Sequence, residues 1–204
     1  MCGISGITSQ HAISGETLDA IWFAKERGAR TAAVGNAMGS SLTRLVDHAI
    51  TQGSGPEICV VSTKAALGQI VVLLRVAAAL ERLSGETDDA VTRDLAALPD
   101  AIRELIEERS GEIAALTKAH SHIGSWPFLG NAEEVKARGG HLIGTATDEG
   151  SEVFDEQIRL PKAPPLLAPL LHLVALQLFA YFTAVALRRN VNRPRSLAKS
   201  VTVG

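Results

Sequence analysis

Apolar and polar positions along this 204-residue chain fall into blocks of two alternating periods. Thr17 to Arg27 carries apolar side chains at helical spacing, with Ser14 placed to cap its start and Gly28 to end it. Arg30 to Val34 predicts a short buried strand, Ser40 to Leu45 a helical turn or two, and Asp47 to Thr51 a second strand. The glycine-rich loop Gln52 to Pro56 leads towards Ser62 to Leu83, a long apolar helix broken at Ser84-Gly85-Glu86-Thr87. Asp88 to Glu108 then predicts a charged helix whose stripe is Val91, Leu95, Leu98, Ile102 and Leu105, followed by a short helix at Glu112 to Ala119. Ile123 to Leu129 reads as a strand interrupted by Trp126-Pro127, and Ala132 to Arg138 as a helix ending at Gly139-Gly140. His141 to Thr145 and Glu156 to Leu160 read as strands, and Lys162 to Pro165 as a rigid link into a last apolar helix.

Helices alternating with short strands predict an α/β fold with parallel sheet. Hydrophobic residues make up 46% of the chain, enough to bury a core, and a net charge of −2 leaves no electrostatic footprint for nucleic acid. Arg188, Arg189, Arg193 and Arg195 are the one basic cluster and suit the end of the last helix. Two cysteines, Cys2 and Cys59, make no disulfide framework and point to a reducing cytoplasm; residues 1–13 have neither the basic start nor the apolar core of a secretory signal. Leu166 to Leu187 contains no Asp, Glu, Lys or Arg and is long enough to cross a bilayer. Pro169, His172, Gln177, Tyr181 and Thr183 interrupt its surface, which fits a helix at the centre of an α/β layer better than a membrane span.

Three stretches carry candidate chemistry. Ser14-Gly15-Glu16-Thr17 sets hydroxyls and free N–H groups at a helix start, which favours an anion, with glycine allowing close approach. Val60-Val61-Ser62-Thr63-Lys64 repeats that arrangement after the glycine-rich loop. In either place the hydroxyl also serves as a plain helix cap. Lys199 lies in the closing stretch Pro194-Arg195-Ser196-Leu197-Ala198-Lys199-Ser200-Val201-Thr202-Val203-Gly204; a lysine in a closed pocket acts as a base or forms an imine, whereas one in an open tail is solvated. The histidines are scattered, and His120 and His122 have no further ligand nearby in sequence, so neither a metal site nor a cofactor is expected.

Together these stretches resemble the sugar-isomerase half of glutamine–fructose-6-phosphate aminotransferase. That half consists of two sugar-isomerase (SIS) domains, each a parallel sheet between helix layers. The resemblance implies a three-layer α/β fold in two incomplete SIS-like lobes: a segment at 1–13, a partial first lobe at 14–95, a helical connector at 96–121, a partial second lobe at 122–190 and an active-site tail at 191–204. It also implies that Ser14, Gly15 and Thr17 hold the phosphate of fructose-6-phosphate or glucosamine-6-phosphate. Val60 and Ser62 would contact the sugar, and Lys199 would be the catalytic amine that opens the ring and handles the imine. Met1-Cys2-Gly3-Ile4 resembles the start of the family's glutamine-hydrolysing domain, where Cys2 would be an N-terminal nucleophile, but the rest of that domain does not follow.

Two departures bear on activity. The family reads Ser-Gln directly before Ser-Gly-Glu-Thr, where this chain has Ala12-Ile13. After Phe128-Leu129-Gly130 the chain passes straight to Asn131-Ala132-Glu133-Glu134, which resembles a much later part of the family, so the block carrying the isomerisation base is skipped. A positioned base is worth about 10² to 10⁴ in rate. The expectation is an aminotransferase making glucosamine-6-phosphate from fructose-6-phosphate and glutamine or ammonia, impaired by its missing segments, and pairing as a homodimer. The alternative is a non-catalytic phosphosugar-binding module or a rearranged, inactive fragment.

Overall fold

Each half of the molecule is organised by one pair of short parallel strands. The computed structural model describes residues 15–56, 63–85, 89–123, 132–147 and 152–192. These fall into two units, one holding the described residues through Ala77 together with Asn192, the other running from Ala78 to Val191.

The first unit contains α1 (Gly15–Glu26), β1 (Ala32–Gly35), α2 (Ser41–Leu45), β2 (His48–Thr51) and most of α3 (Thr63–Leu83), within which the boundary falls. β1 and β2 pair in parallel, Ala32 opposite His48 and Gly35 opposite Thr51. Parallel strands need a crossover, which the loop and α2 supply. Ser40 caps α2 by accepting from the Thr43 N–H at 3.3 Å. The amino ends of the strands are tied by Asp47. One carboxylate oxygen accepts from Lys25 Nζ at 2.7 Å; the other accepts from the N–H and hydroxyl of Thr31 at 2.8 and 2.9 Å. Lys25 also donates to the Leu45 carbonyl at 2.9 Å. These donors, the lysine first, hold the Asp47 carboxyl well below the usual carboxylate range.

The second unit contains the end of α3, α4 (Ala90–Ala119), α5 (Ala132–Ala137), β3 (Ile143–Ala146), β4 (Glu156–Arg159) and α6 (Ala168–Ala186). β3 and β4 pair in parallel, from Ile143 opposite Glu156 to Ala146 opposite Arg159. α4 packs along α6. Leu98, Leu105, Ile113 and Thr117 are the buried positions of α4, and Leu170, Leu171, Val174, Ala175 and Phe179 those of α6. A fully buried side chain of this size contributes about 1.5–3 kcal/mol.

The expected break between Glu108 and Glu112 is absent, and α4 runs through it as one helix. Ser110-Gly111 is a weak breaker: glycine in a helix costs about 1 kcal/mol. Burial of Ile113 and Thr117 in the following turns outweighs that cost. The expected strands at Arg30–Val34 and His141–Thr145 are present one or two residues later, as β1 and β3. The strand expected at Ile123–Leu129 lies outside the described residues, apart from Ile123, which is not in a strand.

Both α3 and α6 are long and apolar enough to cross a membrane by length and composition. α6 buries one face in its unit's core, against a helix with Asp100, Arg103, Glu104, Glu107, Glu108 and Glu112 among its remaining positions. That charged helix belongs in water and not in lipid.

Candidate functional site

Open parallel sheets bind ligands beyond the carboxyl ends of their strands. In the first unit the chain leaves β1 through Asn36 and leaves β2 through Gln52, Gly53, Ser54 and Gly55. The two exits are stitched together. Asn36 Oδ1 accepts from the Ser54 N–H at 3.0 Å, and Asn36 Nδ2 donates to the Gly55 carbonyl at 2.6 Å. Gly53 and Gly55 have φ of +74° and +66°, the left-handed conformation that side chains resist.

The loop is also bolted to α3. Gln52, buried, donates from Nε2 to Ser54 Oγ at 2.7 Å and to the Ala65 carbonyl at 2.8 Å. This approach requires Gly68, because a Cβ there would overlap Ser54 Oγ and lie 3.1 Å from Gln52 Cγ. Among the described residues, the buried Gln52 Oε1 has no hydrogen-bond partner. The loop that precedes residues 57–62 in the chain is thus hydrogen-bonded to the helix that follows them; Val60 and Ser62 belong to that stretch.

Of the sequence-predicted site residues, Gly15 and Thr17 are described. Both lie in the first turn of α1, Gly15 exposed and Thr17 half-buried. Among the described residues, a Cβ at Gly15 would meet nothing within 4 Å. Cys2, Ser14, Val60, Ser62 and Lys199 lie outside the described residues. Sequence reading missed Asn36, Gln52, Ser54 and Gly68; the one available signal was a glycine within an apolar helix, which marks close approach.

The second unit carries two further polar groupings. Thr145 Oγ1 on β3 lies 2.6 Å from His172 Nδ1 on α6, and burial lowers the His172 pKa, favouring the neutral ring. An open depression is lined by Arg109, Glu112, Asp155, Gln157 and Arg159. Beside it, His120, His141 and Glu156 bring their side-chain ligand atoms within 4.8 Å of one another.

No protein-family model matches the chain. Curated relatives do match. The chain is 30% identical over 253 residues to glutamine–fructose-6-phosphate aminotransferase (isomerizing) of Methanococcus maripaludis, covering 93% of this chain and 42% of the relative. The same-named protein of Thermus thermophilus is 31% identical over 261 residues, covering 96% and 43%. That of Leifsonia xyli is 32% identical over 264 residues, covering 93% and 43%. Among solved structures, the C-terminal domain of glucosamine–fructose-6-phosphate aminotransferase from Francisella tularensis superposes with a TM-score of 0.75 at 21% identity, covering 91% of this chain and 72% of that one. The fold is that of the aminotransferase C-terminal domain.

The chain spans less than half the length of these curated relatives. Its match is also interrupted internally. Covering 93% of 204 residues uses about 190 of them, yet the Methanococcus alignment runs over 253, so roughly 60 positions have no counterpart here. The aminotransferase C-terminal fold is thus built here with fewer residues, and the described residues hold two strands in each unit.

Proposed function

We propose that the chain is a shortened form of the sugar-phosphate half of glutamine–fructose-6-phosphate aminotransferase, converting fructose-6-phosphate and ammonia to glucosamine-6-phosphate at a reduced rate. The observation that carries this reading is similarity to that enzyme across 93–96% of the chain. In this reading the start of α1 receives the phosphate: Ser14 and Thr17 donate hydroxyl hydrogen bonds, and Gly15 lets the ester reach the backbone. A helix N-terminus contributes up to about 2 kcal/mol towards an anion in a partly buried site. Val60 and Ser62 contact the sugar from the stretch framed by Gln52, Ser54 and α3. The Lys199 amine opens the ring and handles the imine. Cys2 is assigned no part in ammonia supply, which comes from solution or a separate glutaminase. We place the protein in the cytoplasm, as a homodimer whose exposed Leu73, Leu80 and Leu83 support pairing.

Purified protein incubated with fructose-6-phosphate and ammonium is expected to release glucosamine-6-phosphate, detected by mass spectrometry, and Lys199→Ala is expected to abolish release. Absence of product at high enzyme concentration ends the claim of turnover. Calorimetric binding of glucosamine-6-phosphate without turnover would instead assign the non-catalytic phosphosugar-binding module, the reading favoured by the internal gap of roughly 60 positions.

A further inference from the structure

His120, His141 and Glu156 are far apart in sequence and come from three different places in the second unit: the C-cap of α4, the approach to β3 and the first residue of β4. Nε2 of His120 is 3.0 Å, and Nε2 of His141 2.9 Å, from the same carboxylate oxygen, Oε1 of Glu156. The two rings stack with centroids 5.4 Å apart. Nδ1 of His120 lies 3.0 Å from the Leu116 carbonyl oxygen. A carbonyl only accepts, so Nδ1 carries the hydrogen, and in a neutral ring Nε2 then aims a lone pair at the carboxylate. His141 directs Nε2 at the same Glu156 oxygen, while its Nδ1 lies 3.7 Å from Asp155 Oδ2, too far for a hydrogen bond. At His120 a lone pair and a carboxylate oxygen thus face each other 3.0 Å apart, an arrangement that a cation between them relieves.

We propose that His120 Nε2, His141 Nε2 and the Glu156 carboxylate bind a divalent first-row transition-metal ion, with zinc as its simplest representative. Two imidazoles and one carboxylate are a ligand set that leaves a position open on tetrahedral zinc. Zinc–ligand distances of about 2.0–2.2 Å at tetrahedral angles separate ligand atoms by about 3.4 Å. The existing separations of 2.9 and 3.0 Å therefore have to open by roughly half an ångström, within reach of side-chain adjustment. Ligating histidines commonly direct their other nitrogen at a carbonyl or carboxylate, which fixes the ring; Leu116 stands in that place for His120, and Asp155 is the nearby carboxylate on the Nδ1 side of His141, at 3.7 Å. His141 is half-exposed, which gives an ion in solution access to the cluster. Sequence reading expected no metal site, because neither Glu156 nor His141 is near His120 in the chain.

The test uses the untagged full-length chain, stripped with a chelator and titrated with zinc chloride against a chromophoric competitor at neutral pH. The expected result is one equivalent bound. His141→Ala, at a half-exposed position, should fold as wild type by circular dichroism and weaken binding at least about tenfold; Glu156→Gln should do the same. His122→Ala alters a ring 6.3 Å from His120 but outside the ligand set, and should leave affinity unchanged. Zinc bound equally well by His141→Ala and Glu156→Gln would belong elsewhere, for instance to the cysteines, and would overturn the proposal. No stoichiometric binding by wild type would overturn it too.

Discussion

Gly68 and Gln52 show how single residues frame the candidate sugar site. Gln52 Nε2 bridges Ser54 and Ala65, and only a residue without a side chain at 68 lets α3 come this close. Gly68→Ala should therefore destabilise the first unit by about 1–3 kcal/mol through overpacking, measured by denaturant unfolding, and should weaken fructose-6-phosphate binding in the same variant. Asp47 acts at the opposite end of the strands. Its folded pKa is depressed, so the stability it gives is full above the ordinary value of 3.8 and is lost as pH falls below it towards the folded pKa. Asp47→Asn should lower the Tm at neutral pH and flatten the acid limb of the wild-type stability profile. Equal acid slopes for the two proteins would contradict this role. Little of this network was legible in sequence. Helix starts and turns depend on neighbours in the chain, and Ser40 and Gly15 announce them. The partners of Gln52, Asn36 and Asp47 lie many positions away and are fixed only by packing.

At the scale of elements, short parallel strands and apolar helices were legible to within a residue or two, because each repeats its own period. Among the described residues the exception was α4. Ser110-Gly111 reads locally as a break, but Ile113 and Thr117 extend the buried seam beyond it, and tertiary burial decides. Leu105, at 0% exposure, lies midway along that seam. Leu105→Ala should cost about 2–5 kcal/mol in unfolding free energy, the usual toll of a buried leucine truncation. Pro99 sits in the interior of α4 at an exposed position and cannot donate its share of the backbone ladder. Pro99→Ala should stabilise the protein by up to about 3 kcal/mol, seen as a higher Tm, since proline is that much poorer than alanine inside a helix. An unchanged Tm would mean that the helix is bent there to suit its packing.

The molecule as a whole combines an aminotransferase C-terminal fold with a chain that omits roughly 60 positions of its Methanococcus relative. That shortage is consistent with the large apolar side chains left uncovered: Trp22 and Phe23 on α1 are 55% and 53% exposed, and Leu83 at the end of α3 is 84% exposed. Patches of this kind mark association surfaces. Sedimentation of the purified chain should therefore show a dimer, and a monodisperse monomer would contradict the proposed pairing. The most direct test of the central claim, phosphosugar capture at the first turn of α1 and the 57–62 stretch, is isothermal titration of the intact chain with fructose-6-phosphate. The account predicts saturable binding that Thr17→Ala weakens by about tenfold or more, the worth of one hydrogen bond to a charged group, and that Ser62→Ala, at the neutral sugar, weakens by about two- to tenfold. Absence of heat at millimolar ligand, or binding indifferent to both substitutions, would contradict it.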